Sequence, residues 1–111
     1  MLKVPSSVAK EAMIGFAMKE SGYDGGMELG LARAKQLATS AYIPAADAKV
    51  MWAWFQRHLH TSRPGYLQWK KDGSPTQMIA GMKSKYRGAV AWLIWGGDSA
   101  YKWITTWHIG M

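Results

Sequence analysis

The stretch Ala45-Ala46-Asp47-Ala48-Lys49-Val50-Met51-Trp52-Ala53-Trp54-Phe55-Gln56-Arg57-His58-Leu59-His60 decides the fold class. At about 100° per residue, Val50, Met51, Trp54, Phe55, His58 and Leu59 gather on one half of a helical wheel. Lys49, Ala53, Gln56 and His60 gather opposite, with Trp52 and Arg57 at the two boundaries. The period is helical, not the alternation of a strand, so a helix spans 45–60. Ile43-Pro44 marks its start, because proline disfavours helix at the residue before it and suits the first turn after it.

The same period recurs on both sides. Val8, Ala12 and Phe16 define an amphipathic helix of about four turns, opened by Ser6 or Ser7 as cap. It stops at Ser21-Gly22-Tyr23-Asp24-Gly25-Gly26, where glycines favour positive φ. Met27–Thr39 is a second helix, with Leu29, Ala32 and Leu37 on its apolar side. Thr61–Pro75 carries two prolines and two glycines and reads as a long basic loop. Thr76–Trp95 is helical with a break around Gly81–Lys85, and its apolar end, Tyr86–Trp95, is the most buried. Gly96-Gly97 ends it, and Asp98 caps a last helix from Ser99 to Trp107. No strand-like alternation and no repeat of 20–50 residues is present. The expected fold is all-α: one compact domain over 1–111, about five helices, and a long basic loop between the third and fourth.

The chain has 111 residues, no cysteine, and 14 Lys+Arg against 7 Asp+Glu, a formal charge of +7. That length suits one domain, and 49% hydrophobic residues argue against disorder. Without cysteine there is no disulfide scaffold, thiolate metal site or cysteine nucleophile. No signal-peptide core opens the chain, and the longest apolar run, Ala89–Trp95, cannot cross a bilayer. The expectation is a protein that is neither secreted nor membrane-bound.

Charge and aromatics are unevenly placed. Residues 1–47 balance five basic against five acidic side chains, so the whole +7 falls in 48–111. All seven Trp lie there as well. The basic density peaks between Arg57 and Arg87, which points to an anionic partner. Arg63, Lys70, Lys71, Lys83, Lys85 and Arg87 are the candidate phosphate contacts, with Tyr66 and Trp69 as candidate stacking groups on unpaired bases. The other reading of Tyr66 and Trp69 is that they pin the loop to the core. Trp54, Trp92, Trp95 and Trp103 are read as core; Trp52 and Trp107 join Trp69 as contact candidates.

Catalytic signatures are missing. There is no HExxH, Walker loop or GxSxG. His58 and His60 point about 200° apart on a helix and cannot share a metal. The sequence therefore reads as no enzyme, no cofactor and no metal. A helix-turn-helix over 31–58 is disfavoured: its turn lacks glycine, and Ala45, Ala46, Asp47 and Ala48 are poor base readers.

Three segments, Leu31-Ala32-Arg33-Ala34-Lys35-Gln36-Leu37-Ala38, Met51 through Trp54-Phe55-Gln56-Arg57-His58, and Ala91-Trp92-Leu93-Ile94-Trp95-Gly96-Gly97-Asp98 with Trp103, together resemble an uncharacterised small domain that recurs in tailed-phage proteins, notably of marine cyanophages. Order and spacing match over about Val4 to Trp103. Many relatives carry an acidic residue after the Arg-His pair, where this chain has Leu59, and the connection before the tryptophan motif differs. Relatives stand alone or are fused to head-associated proteins. The resemblance implies a phage origin and a virion or DNA context, and it supplies no catalytic residue. Physically, Trp92, Trp95 and Trp103 read as core, Gly96-Gly97 as the turn and Asp98 as the cap, with Arg57 pairing to Asp98. The functional expectation is a phage-encoded accessory protein in the host cytoplasm or virion, bound to nucleic acid, DNA before RNA. The alternative is a virion-associated interaction module, docked on a phage structural protein or on its own copy through the Trp-rich tail.

Overall fold

The computed structural model describes residues 1–111. Six helices follow one another: α1 (Ser6–Ser21), α2 (Glu28–Thr39), α3 (Ala45–His58), α4 (Arg63–Lys71), α5 (Arg87–Ile94) and α6 (Gly97–Ile109). The only strands are β1 (Leu2–Lys3) and β2 (Tyr42–Ile43), antiparallel with Leu2 opposite Ile43 and Lys3 opposite Tyr42. β1 is followed by Val4 and the extended Pro5, and β2 directly by the extended Pro44; these prolines release the chain into α1 and α3. Two-residue strands are too short to show alternation in a sequence. The all-α class holds.

The helix count and the loop differ from expectation. Within the stretch read as a loop, Arg63–Lys71 is helix α4. Pro64 falls in its first turn, where a missing N–H costs nothing, and Tyr66 and Trp69, one turn apart, are buried. The irregular segment is displaced to 72–86: the break expected around Gly81–Lys85 extends back over Thr76–Ala80, which was expected to be helical. Its backbone is held by side chains from elsewhere: Trp69 Nε1 donates to Pro75 O at 2.8 Å, Ser21 Oγ to Thr76 O at 3.1 Å, and Tyr23 OH to Gln77 O at 3.1 Å. Those carbonyls are taken by tertiary contacts.

α5 is the axis of the core. Ala89, Val90, Trp92, Leu93 and Ile94 are fully buried, which agrees with the reading of Tyr86–Trp95 as the most buried segment. α1, α2 and α4 pack around it. Close packing of α1 on α5 depends on Gly15, because a Cβ there would lie 2.7 Å from the Ile94 backbone nitrogen. α3 joins through α6, and a layered stack crosses the core boundary. The Arg33 guanidinium lies 5.4 Å over Trp95, Trp95 stacks on Trp54 at 4.9 Å, and Trp54 stacks on His58 at 4.4 Å. The Cα radius of gyration, 13.2 Å, is that of a compact chain of this length.

Candidate functional site

The turn from α5 to α6 builds the centre of the site. Gly96 and Gly97 adopt φ of +102° and +66°, a left-handed pair that side chains disfavour. Gly97 has a second reason to be glycine: a Cβ would overlap the Glu11 carboxylate. That carboxylate reaches in from α1 and accepts the Ser99 backbone N–H at 2.8 Å. Its other oxygen accepts the Tyr66 hydroxyl at 2.5 Å. Glu11 thus caps α6 from 88 residues away, where an anion also meets the positive end of the helix dipole.

Asp98 is not the cap, because α6 has no side-chain cap of its own. Its carboxylate instead accepts a bidentate pair from Arg63, Nε at 3.0 Å and the terminal nitrogen at 2.9 Å, and a bond from Trp92 Nε1 at 2.9 Å. The expected Arg57–Asp98 pair is therefore replaced by Arg63–Asp98. Arg57 stands exposed at the end of α3 and makes no ion pair. Burial pushes the Asp98 carboxyl up, but the bonds from Arg63 and Trp92 and the Arg63 charge hold it below the usual range. Asp98 in turn raises Arg63. Burial first, then the bond to Glu11 and its charge, push the Tyr66 phenol well above its ordinary value. All four groups are engaged, so this node positions; it has no free acid or base.

Above the node lies an open cleft of about 470 Å³. Lys10 of α1, Lys70 of α4 and Lys102 of α6 line it, together with the hydroxyl residues Ser7, Ser74 and Ser99. None of the three lysines makes an ion pair, whereas every ion pair in the molecule engages some other cation. With Asp98 neutralised by Arg63, three positive charges face one negative charge on Glu11. Lysines from three helices around one concavity can take an anionic group, with hydroxyls available to donate.

The residues expected to bind nucleic acid divide. Lys70 lines the cleft, its Nζ 5.4 Å over the Tyr66 ring, and Lys71 is exposed next to it. Arg63 is held by Asp98. Tyr66 and Trp69, 1% and 3% exposed, offer no ring face to a base; they pin α4 to the core instead. Lys83 and Arg87 stand around Asp24 at 3.9 and 3.2 Å, and Lys85 lies 3.7 Å from Asp72. These pairs tie down the irregular segment: Ser84 also bonds to Asp24 at 2.8 Å and Tyr86 to Asp72 at 2.7 Å. Lys10 and Lys102 were missed as contacts, and no local pattern marks them.

Of the residues read as structural, Trp92 and Trp95 are buried and Trp103 is partly buried against the core. Trp52 and Trp107 are also partly buried, Trp52 stacking on His108 at 4.0 Å. His58 is packed at the core edge, and burial and the Arg57 charge lower its pKa. No group of three or more His, Asp or Glu side chains is placed to hold a metal ion. No helix is long and apolar enough to cross a membrane.

No family model, no curated protein and no solved structure matches the chain.

Proposed function

We propose that the chain is a non-enzymatic accessory protein of a tailed phage that associates with nucleic acid by its phosphates. One observation carries the reading: Lys10, Lys70 and Lys102 converge on one cleft and none makes an ion pair, while its carboxylates, Glu11 and Asp98, are engaged by Tyr66, Ser99, Arg63 and Trp92. Lys71 extends the positive surface beside it, and Lys83, Lys85 and Arg87, largely exposed despite their pairs, form a second basic region. Ammonium groups neutralise phosphates without reading bases, so binding is independent of sequence and falls steeply with salt. With Tyr66 and Trp69 buried, the cleft offers no ring face for base stacking, which favours duplex DNA over unpaired strands there. The phage origin rests on the motif resemblance, and host cytoplasm or virion is the setting it implies.

The test is fluorescence anisotropy of a labelled DNA duplex at low salt. Micromolar or tighter binding is expected, weakened at least tenfold when Lys10, Lys70 and Lys102 are changed to Ala together. No binding at low salt sinks the reading.

A second reading, a virion module docked through its carboxyl end, is favoured by Ile109 and Met111, which are exposed at the end of α6. Its test is the presence of the protein in purified virions.

A further inference from the structure

The outward face of α1 breaks the rule that a surface helix is polar on its solvent side. Its stripe runs Ser6, Ala9, Met13, Ala17, Glu20, with Met13 57% exposed and Ala17 exposed, while the opposite face carries the buried Val8, Ala12, Gly15 and Met18. The helix is thus apolar on both sides. Two grooves flank the Met13–Ala17 ridge. One, of about 250 Å³, lies between α1 and α2 and is lined by Phe16, Ala34 and Ala38 together with Glu20, Lys35 and Thr39. The other, of about 400 Å³, is walled by Ala9 and Ile14. A ridge beside its own groove is the shape an isologous contact needs, since each copy gives a ridge and receives one.

We infer that this face binds a second copy of the chain, with two α1 helices crossing antiparallel about Met13. Charge selects that occupant and that direction. Centring on Met13 sets Ala9 against the partner's Ala17, so small side chains face each other and the helices approach closely. It also sets the Ser6 end against the partner's Glu20. Glu20 makes no ion pair within its own chain, and neither do Lys3 and Lys10 near the amino end of α1. That end has no side-chain cap and no acid in its first turn. Glu20 of the opposite copy would supply the missing anion twice, once on each side of the axis. A parallel pair would stack Glu20 on Glu20 and Lys10 on Lys10. Lys10 also lines the cleft, so the contact is tested without DNA, and the apolar-face variants Met13→Glu and Ala17→Glu separate it from nucleic-acid binding.

The experiment is light scattering coupled to gel filtration, and sedimentation equilibrium, on the full chain up to about 1 mM. A concentration-dependent dimer is expected. Met13→Glu and Ala17→Glu should each weaken it more than tenfold with far-UV circular dichroism unchanged. Glu20→Lys should weaken it as well, and adding Lys10→Glu to that variant should restore it. Glu20 and Lys10 are both exposed, so the charge swap reports on the contact even if an apolar-face variant fails to fold. A monomer over the whole range overturns the inference, as does a dimer indifferent to Met13→Glu and to the charge swap.

Discussion

Glu11→Ala removes the group that joins α1, α4 and α6. Two donors lose their acceptor. The Ser99 N–H, in the first turn of α6, loses a cap, which costs about 0.5–2 kcal/mol. The Tyr66 hydroxyl, on a ring 1% exposed at the cleft, loses its partner, which costs about 1–3 kcal/mol. Together the loss is about 1.5–5 kcal/mol. Unfolding entropy of roughly 2.1 cal/mol/K per residue gives about 0.23 kcal/mol/K for this chain, so Tm falls by about 6–21 °C. Glu11→Gln keeps one acceptor oxygen for two donors and falls between the native protein and the alanine variant. The assay is thermal and urea unfolding of Glu11→Ala, Tyr66→Phe and the double variant. The pair should show a coupling of about 1 kcal/mol or more, because both changes remove the same bond. A Tm shift under about 2 °C refutes the assignment of Glu11 as the joint of the three helices, and additive single effects refute its bond to Tyr66.

Other expectations follow from the same packing and charges. Gly15→Ala gains helix propensity but drives a methyl into the α5 backbone, so a net loss of about 1–3 kcal/mol is expected in urea unfolding; a stabilised variant would contradict the close α1–α5 approach. Arg63→Ala leaves the half-buried Asp98 without its bidentate partner and should cost about 1–3 kcal/mol, whereas Lys85→Ala should stay within about 0.5 kcal/mol; equal effects would mean the Arg63 pair is only a surface contact. The carboxyls of Asp24, Asp47, Asp72 and Asp98 all lie below their ordinary value of 3.8. Bonds from Ser84, Gln36 and Tyr86 lead for the first three, and the bonds from Arg63 and Trp92 outweigh burial for Asp98. Depressed native values mean their stabilisation is present above pH 3.8 and is lost as pH falls through them, so the urea midpoint, after a first decline below pH 6.5 where the unfolded chain charges the depressed His58, should drop further in acid; a midpoint that holds steady down to about pH 2.5 would count against these bonds.

Much of the fold can be read from the chain because its signals are local. The α3 wheel, the α1 pattern and the Gly96-Gly97 break each lie within a few residues of what they specify; α2 is where expected, but it buries Gly30, Arg33, Ala34 and Leu37 and leaves Leu29 and Ala32, read as its apolar side, exposed. α4 was hidden because Pro64 and Gly65 look like loop residues until Tyr66 and Trp69 are seen to share one buried face. The segment after it was mistaken for helix because its backbone partners, Ser21 and Tyr23, lie more than 50 residues away. The site was harder still. Asp98 beside a double glycine looks like a cap, yet the cap is Glu11, and nothing near Asp98 announces it. Arg57 and Arg63 are equally basic in sequence; only the placement of α4 decides which reaches Asp98. Charge counting drew attention to residues 57–87 and away from the neutral amino-terminal half, which contributes Lys10 to the cleft.

The most direct test of the cleft is the salt dependence of DNA binding by the native chain, by the Lys10/Lys70/Lys102 alanine triple, and by a Lys83/Lys85/Arg87 alanine triple. Each lost phosphate contact lowers the slope of log K against log salt by about 0.9. The expected result is a slope shallower by about 2.7 for the cleft triple and a smaller change for the second triple. An unchanged slope for the cleft triple, with the loss falling on Lys83, Lys85 and Arg87, would contradict it.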